Sequence, residues 1–245
     1  MSRANPVDTA RALVAEYYPK AQQAWLSRSV VLGGATSTSD LDIAVLLNET
    51  EAHRTSLVYR DWPAEVFVHN RASLRWFVAQ DVARRRPTMA RMVAHGVALL
   101  PGGEGEALQA ECSSVLAAGP ARLAGTELTM ARYTLTDLLD DLVGGADPEL
   151  LDAIAVDTWR SAAELHLAAN RAWSGTGKWL IRELRQLDET TEDDVTGRLR
   201  AGLHAALSGE AEQLVVAADE ILDQVGGRLW AGLSLAAPPA ASVAP

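Results

Sequence analysis

The hydrophobic positions of the first hundred residues change repeatedly between helical spacing and short strand-like runs. Helical spacing over 6–18 predicts a helix that begins after Asn5 and ends at Pro19. Two apolar runs at 55–59 and 64–69 flank Asp61-Trp62-Pro63, which predicts a hairpin. The other elements predicted in this part are strands at 21–26, 41–47 and 97–100 and helices at 72–86 and 88–95.

The pattern beyond residue 103 is helical throughout, with glycine-containing breaks between the periodic segments. The predicted helices are 104–118, 121–143, 148–173, 178–187, 192–207 and 210–229. The fold class expected from both parts is α+β: a small mixed sheet with flanking helices, followed by a helical bundle. We therefore expect one domain over 1–103, a second over 104–235, and a disordered Ala/Pro-rich tail over 236–245.

Composition narrows the function classes. A chain of 245 residues suits one large or two small domains, and its net charge of −10 argues against a nonspecific nucleic-acid binder. The same charge would suit a cationic substrate, although an acidic surface also serves solubility. The single cysteine, Cys112, excludes an intramolecular disulfide. No stretch has the length and hydrophobicity of a membrane span, so we expect a cytoplasmic protein with no membrane partner.

The candidate chemistry begins at Asp40 and Asp42, which are separated by one residue at the start of an apolar strand. Alternate side chains of a strand point to the same face, so the two carboxylates should project together while Leu41 and Ile43 face a core. Two acids held side by side repel each other unless a cation lies between them. Paired carboxylate oxygens suit Mg²⁺ that also holds the phosphates of a nucleotide.

The segment before these acids, 29–39, joins two predicted strands and contains two glycines and a series of hydroxyl groups. Gly33 and Gly34 allow a ligand to approach the backbone closely, and the hydroxyls of Ser29 and Ser39 can bind an anion such as a triphosphate. A surface loop without a ligand is the alternative interpretation of this segment.

Glu65 lies in the apolar strand 64–69. If that strand is next to the strand that carries Asp42, Glu65 becomes a third carboxylate beside the first two. It would then share a metal and accept the proton of an attacking hydroxyl. A solvent-facing glutamate on an edge strand is the alternative.

These residues together resemble the nucleotidyltransferase superfamily that includes DNA polymerase β, and especially the small bacterial enzymes that adenylylate antibiotics such as aminoglycosides. The family pattern is Gly-Ser, about ten residues, Asp-hydrophobic-Asp, and a third acid on a later strand. Here ten residues separate Ser29 from Asp40, Asp42 follows, and Glu65 matches the third acid. A sheet domain followed by a helical bundle is also the layout of these adenylyltransferases.

The family glycine before the serine is replaced by Arg28. Arg28 would either add a phosphate contact or block the phosphate site. In a second register, Gly33 and Gly34 form the phosphate-binding pair, which leaves only five residues before Asp40. Lys178, which follows Gly175-Thr176-Gly177, is similar to a lysine that contacts the nucleotide phosphates in some members.

The resemblance implies transfer of a nucleoside monophosphate, expected to be AMP, from ATP or another nucleoside triphosphate to a hydroxyl of a small and possibly cationic acceptor. Asp40, Asp42 and Glu65 would hold two Mg²⁺ ions, Ser29, Gly33, Gly34 and Ser39 would bind phosphates, and Lys178 would neutralise charge. An aminoglycoside-like antibiotic is the expected acceptor. Two alternatives remain open: an antitoxin that modifies a protein, and an inactive nucleotide sensor.

Overall fold

A computed structural model describes residues 3–27, 30, 38–48, 51–145 and 147–234 of the chain. The strands are β1 (Gln23–Leu26), β2 (Leu41–Leu46), β3 (His53–Tyr59), β4 (Trp62–His69) and β5 (Val97–Ala98). The helices are α1 (Pro6–Tyr17), α2 (Arg71–Ala83), α3 (Thr88–Ala94), α4 (Gly103–Ala118), α5 (Gly125–Gly144), α6 (Pro148–Ala169), α7 (Lys178–Thr191), α8 (Val195–Ala206) and α9 (Glu212–Asp223). The fold is α+β, as the sequence predicts, and it divides into two compact units at residues 120 and 121.

The sheet of the first unit is mixed, with strand order β3-β4-β2-β1-β5. Strands β2 and β4 are parallel, and their register places Asp42 opposite Glu65. The other neighbouring strands pair antiparallel. The adjacency on which the interpretation of Glu65 depends is therefore present, and Glu65 is not on an edge strand.

Each face of this sheet packs against helices. Alternate residues Leu41, Ile43 and Val45 of β2 are almost fully buried and belong to one apolar cluster with Leu13 of α1. On the opposite face, Ala44 and Leu46 pack in a second cluster with buried residues of β1, α2, α3 and α4: Trp25, Leu74, Met89, Ala90, Met92, Val93, Leu108 and Cys112. Asp42 shares this second face but precedes its apolar part, so the carboxylate lies at the rim of a packed layer.

The β3–β4 hairpin turns at Arg60 and Asp61, slightly earlier than the Asp61-Trp62-Pro63 turn that the sequence predicts. Both turn residues have positive φ, 48° and 67°, as in a type I′ turn whose twist matches that of the strands. Pro63 is tolerated inside β4 at a position that pairs with Val58. The earlier turn starts β4 two residues before the predicted strand and fixes which residues face each other across the hairpin.

The first unit extends beyond the boundary expected at residue 103. The helical pattern of 104–118 by itself predicts a bundle helix, but Leu108 and Cys112 of α4 are buried in the same cluster as Trp25. Gln109 also donates from Nε2 to the carbonyls of Val93 and Gly96, both at 3.0 Å. The helix therefore covers the sheet, and the division falls after Pro120.

The second unit is helical, as the sequence predicts. Helix α6 packs against α5, α7, α8 and α9, as expected for a segment that is apolar around most of its circumference. The start of α8 is held by two carboxylates: buried Asp188 accepts the N–H groups of Val195 at 3.1 Å and Thr196 at 3.0 Å, and exposed Asp194 accepts that of Gly197 at 2.9 Å. Within the described ranges, no helix is both long and apolar enough to cross a bilayer. The predicted tail over 236–245 lies outside the described residues.

Candidate functional site

Three carboxylates converge at the rim of the sheet. Each of Asp40, Asp42 and Glu65 offers an oxygen, and the three oxygens lie within 4.8 Å of one another. Among the described residues, these three form the group of acids, histidines or cysteines whose ligand atoms lie close enough together to hold a metal ion. The three residues that the sequence selects are therefore brought to one point.

Strand geometry explains this convergence. Asp42 and Glu65 are partners in the parallel register of β2 and β4, so their side chains leave the same face of the sheet. Asp40 precedes Asp42 by two residues and adds its carboxylate to the pair. The carbonyl of Asp42 accepts the N–H of Ser27 at 2.8 Å, which attaches the start of β2 to the chain beyond β1.

The segment that leads to Asp40 is attached to the N-terminal residues. Arg3 donates from Nη1 to the carbonyl of Ser39 at 2.9 Å, and its guanidinium lies 4.8 Å from the ring centre of Trp62. Trp62 in turn donates from Nε1 to the carbonyl of Ala4 at 3.1 Å. Through these contacts the N-terminal residues connect Ser39, which directly precedes Asp40, with Trp62, the first residue of β4.

Arg54 of β3 is a charged partner of this cluster that the sequence analysis did not identify. Its Nη2 donates to Oε1 of Glu65, and its guanidinium lies 5.0 Å from the ring centre of Phe67. The bond to Glu65 is the main cause of a raised pKa for Arg54, and the carboxylates of Asp42 and Asp40 raise it further. A signal was present in the sequence, because a turn at Arg60 and Asp61 places Arg54 opposite Phe67.

His69 ends β4 on the same face as Glu65 and Phe67. Its ring is buried, and this burial lowers the pKa of the imidazole. The ring of Phe77 lies edge-on at 5.0 Å between ring centres. His69 therefore belongs to the packed layer behind the carboxylates, as a neutral ring at neutral pH.

The predicted phosphate-binding residues are described only in part. Ser29, Gly33 and Gly34, together with Arg28, lie outside the described residues, so their roles and the choice between the two registers stay predictions. Ser39 is half-buried, and its carbonyl is engaged by Arg3. Lys178 is exposed at the first position of α7, in the second unit.

Oxygen donors arranged in this way fit a hard divalent cation. Three carboxylates offer the ligand type that Mg²⁺ and Mn²⁺ prefer, and soft sulfur or imidazole ligands are not part of the cluster. The rim position leaves the cluster open to a ligand, since the side chain of Glu65 remains 26% exposed. The cluster could therefore hold a divalent metal ion.

Comparison with solved structures finds distant matches to this chain. The chain is similar to a nucleotidyltransferase-like protein from Exiguobacterium sibiricum 255-15, with 13% sequence identity and a TM-score of 0.38. The matched region covers 90% of this chain and 79% of that protein. No protein-family profile matches the sequence, and no curated protein matches it.

Proposed function

We propose that this protein is a Mg²⁺-dependent nucleotidyltransferase that moves a nucleoside monophosphate from a nucleoside triphosphate, expected to be ATP, to a hydroxyl group of an acceptor. The observation that carries the proposal is the convergence of Asp40, Asp42 and Glu65, whose oxygens lie within 4.8 Å. Their order along the chain, with the serine- and glycine-containing segment before them, matches the pattern of the polymerase β-like family.

Asp40 and Asp42 would hold two Mg²⁺ ions, and Glu65 would complete the metal site nearer the acceptor. When bound, the metal supplies positive charge that offsets the charge of the phosphates during an in-line displacement. The sheet positions Asp42 and Glu65 before any substrate arrives, because their backbone register fixes both side chains on one face.

In the proposed reaction the acceptor hydroxyl forms a bond to the α-phosphorus. The bond from that phosphorus to the oxygen bridging to the β-phosphate breaks, and pyrophosphate leaves with the electron pair. Glu65 takes the proton of the hydroxyl. Ser29, Ser39 and the backbone at Gly33 and Gly34 would hold the β- and γ-phosphates.

We further propose that the acceptor is a small hydroxylated molecule with positive charge, such as an aminoglycoside-like antibiotic. The support is the net charge of −10 and the resemblance of the motif to antibiotic adenylyltransferases. An enzyme of this kind would confer resistance by blocking a hydroxyl that the antibiotic needs.

The test is pyrophosphate release from the four nucleoside triphosphates with Mg²⁺ across a panel of hydroxylated acceptors, with mass spectrometry of the products. Asp42→Asn should lower the rate by at least about a hundredfold, since it removes a direct metal ligand. Asp61→Asn is the matched control, because Asp61 is an exposed carboxylate of the same unit, at the turn of the β3–β4 hairpin, and lies outside the cluster. It should keep the wild-type rate.

Equal rates for wild type and Asp42→Asn would refute the proposed function. A nucleotide label that transfers to a copurifying protein, and not to small molecules, would identify the antitoxin alternative. Binding of a triphosphate that requires Asp42 but gives no product with any acceptor would identify the sensor alternative.

A further inference from the structure

Arg54 occupies a place where a cation is expected to bind. Its Nη2 donates to Oε1 of Glu65, one of the three acids whose oxygens lie within 4.8 Å of one another. The negative charges of Asp40 and Asp42 also raise the pKa of the Arg54 guanidinium. The side chain thus supplies, from within the protein, part of the positive charge that three adjacent carboxylates require.

A second contact keeps the guanidinium near the cluster even without Glu65. Arg54 and Phe67 are opposite each other in the β3–β4 register, and the guanidinium lies 5.0 Å from the centre of the Phe67 ring. Phe67 is two residues beyond Glu65 on the same face of β4. The arginine can therefore leave the carboxylate and stay over the ring, in contact with solvent through a side chain that is 58% exposed.

We propose that Arg54 is a competing internal cation: it holds Glu65 in the metal-free protein, a metal ion displaces it, and the released guanidinium then binds a phosphate oxygen of the nucleotide. This inference rests on the proposed function, because it requires the carboxylates to bind metal. The positive charge of Arg54 repels a metal ion at the cluster, and its N–H takes up one of the lone-pair positions that Glu65 could offer to the metal.

The guanidinium matches phosphate as well as it matches carboxylate, since its planar fork of donors fits either oxoanion. A triphosphate that arrives with the metal would give Arg54 a new partner as it leaves Glu65. The exchange makes metal binding depend on the nucleotide: weak for the metal alone and stronger for metal and triphosphate together. Arg54 would therefore favour binding of the metal together with the nucleotide over binding of the metal alone.

The test measures binding of Mn²⁺ to the full chain by titration, first alone and then with a non-hydrolysable ATP analogue. Arg54→Gln should bind Mn²⁺ alone about fivefold more tightly than wild type, the ratio expected for loss of one exposed ion pair. The same variant should gain less from the ATP analogue than wild type does. Arg54→Lys keeps the positive charge but loses the planar guanidinium donors. Its affinity for Mn²⁺ alone should therefore lie between that of wild type and that of Arg54→Gln.

Arg60→Gln is the matched control, because Arg60 is on the same hairpin and its guanidinium lies 5.1 Å from the centre of the Tyr59 ring. It removes the same charge from an equivalent aromatic contact, and its Mn²⁺ binding should equal that of wild type. A tighter site in Arg60→Gln as well would show that net charge alone is responsible, and it would overturn the role of Arg54.

The remaining outcomes separate this inference from the proposed function. If Asp42→Asn abolishes Mn²⁺ binding but Arg54→Gln binds as wild type does, the metal site stands and the competition is refuted. If Arg54→Lys binds Mn²⁺ alone as tightly as Arg54→Gln, positive charge at this position does not compete, and the inference also fails. If neither wild type nor Arg54→Gln binds Mn²⁺, the metal site itself is refuted and the inference falls with it.

Discussion

Replacing Asp40 by Asn should change the stability of the first unit in opposite directions with and without metal. The carboxylate of Asp40 lies within 4.8 Å of those of Asp42 and Glu65. In a water-like dielectric each repulsion at that distance is worth about 0.9 kcal/mol, which physiological salt reduces by roughly half. Attraction to Arg54 offsets part of the two repulsions. In the metal-free protein, Asp40→Asn should therefore stabilise the unit by about 0.5–1 kcal/mol.

Saturating metal should reverse the order of the two proteins. A cation that binds only the folded state stabilises it by about 2.7 kcal/mol at a hundred times its dissociation constant. Asp40→Asn removes one of the three ligands and should lose most of that gain. Wild type should thus be the less stable protein in EDTA and the more stable one in millimolar Mn²⁺.

Hydrogen exchange measured by mass spectrometry on peptides from β2 and β4 provides the assay. The chain has two compact units, so a global unfolding curve would mix their transitions, whereas exchange reports the opening of each segment separately. Asp61→Asn is the control, since asparagine tolerates the positive φ of 67° at that turn position. It should leave exchange unchanged in both conditions.

One result would refute this reasoning. If Asp40→Asn were less stable than wild type in EDTA and responded equally to metal, the carboxylate would be a structural hydrogen-bond acceptor. The acidic cluster would then have no metal-binding role at Asp40.

Two further predictions concern stability away from the carboxylates. Asp188→Ala should lower the free energy of opening of α8 by about 3 kcal/mol in hydrogen exchange measured on peptides from that helix, because two buried N–H groups lose charged acceptors. Asp194→Ala at the exposed cap of the same helix should cost about 1 kcal/mol, and equal losses would contradict this account. Burial lowers the pKa of His69 and His166 below the ordinary 6.5, so the unfolded chain binds protons first as the pH falls. The free energy of unfolding should be level above pH 6.5 and should fall below it. His166→Gln should make that fall smaller. An unchanged pH dependence in this variant would exclude His166 as a cause.

The sequence predicts the elements of this fold well because most of them carry a clear period and clear breakers. The helix at 6–18 is observed as Pro6–Tyr17, where Asn5 caps the first turn through its side chain. Helix α6 starts at Pro148, as predicted, after Asp147 accepts the N–H of Glu149 at 3.0 Å. Its end is four residues earlier than predicted, at Ala169, because apolar residues continue past the last helical turn.

Three features depend on tertiary contacts and could not be predicted in the same way. Local pattern makes α4 a bundle helix, and only its packing beside Trp25 assigns it to the first unit. The adjacency of β2 and β4 could be stated only as a condition, since the order of strands in a sheet is not encoded in their individual patterns. Arg54 lies opposite Phe67 and contacts Glu65 diagonally across the hairpin. Predicting this contact requires the exact position of the turn, and the turn predicted at 61–63 gives a different register.

The register of β2 with β4 has a consequence for how such a site tolerates change in chain length. Asp42 and Glu65 are far apart in sequence, and the hairpin strand β3 and its connections lie between them. Residues added in the connection before β3 would leave the two acids facing each other, because their pairing is set by neighbouring backbones and not by the number of residues between them. A single residue inserted within β4 before Glu65 would instead turn this side chain to the opposite face. The site is therefore insensitive to the length of its intervening segment and sensitive to one position in one strand, so proteins with the same acid pair can differ widely in the spacing between its members.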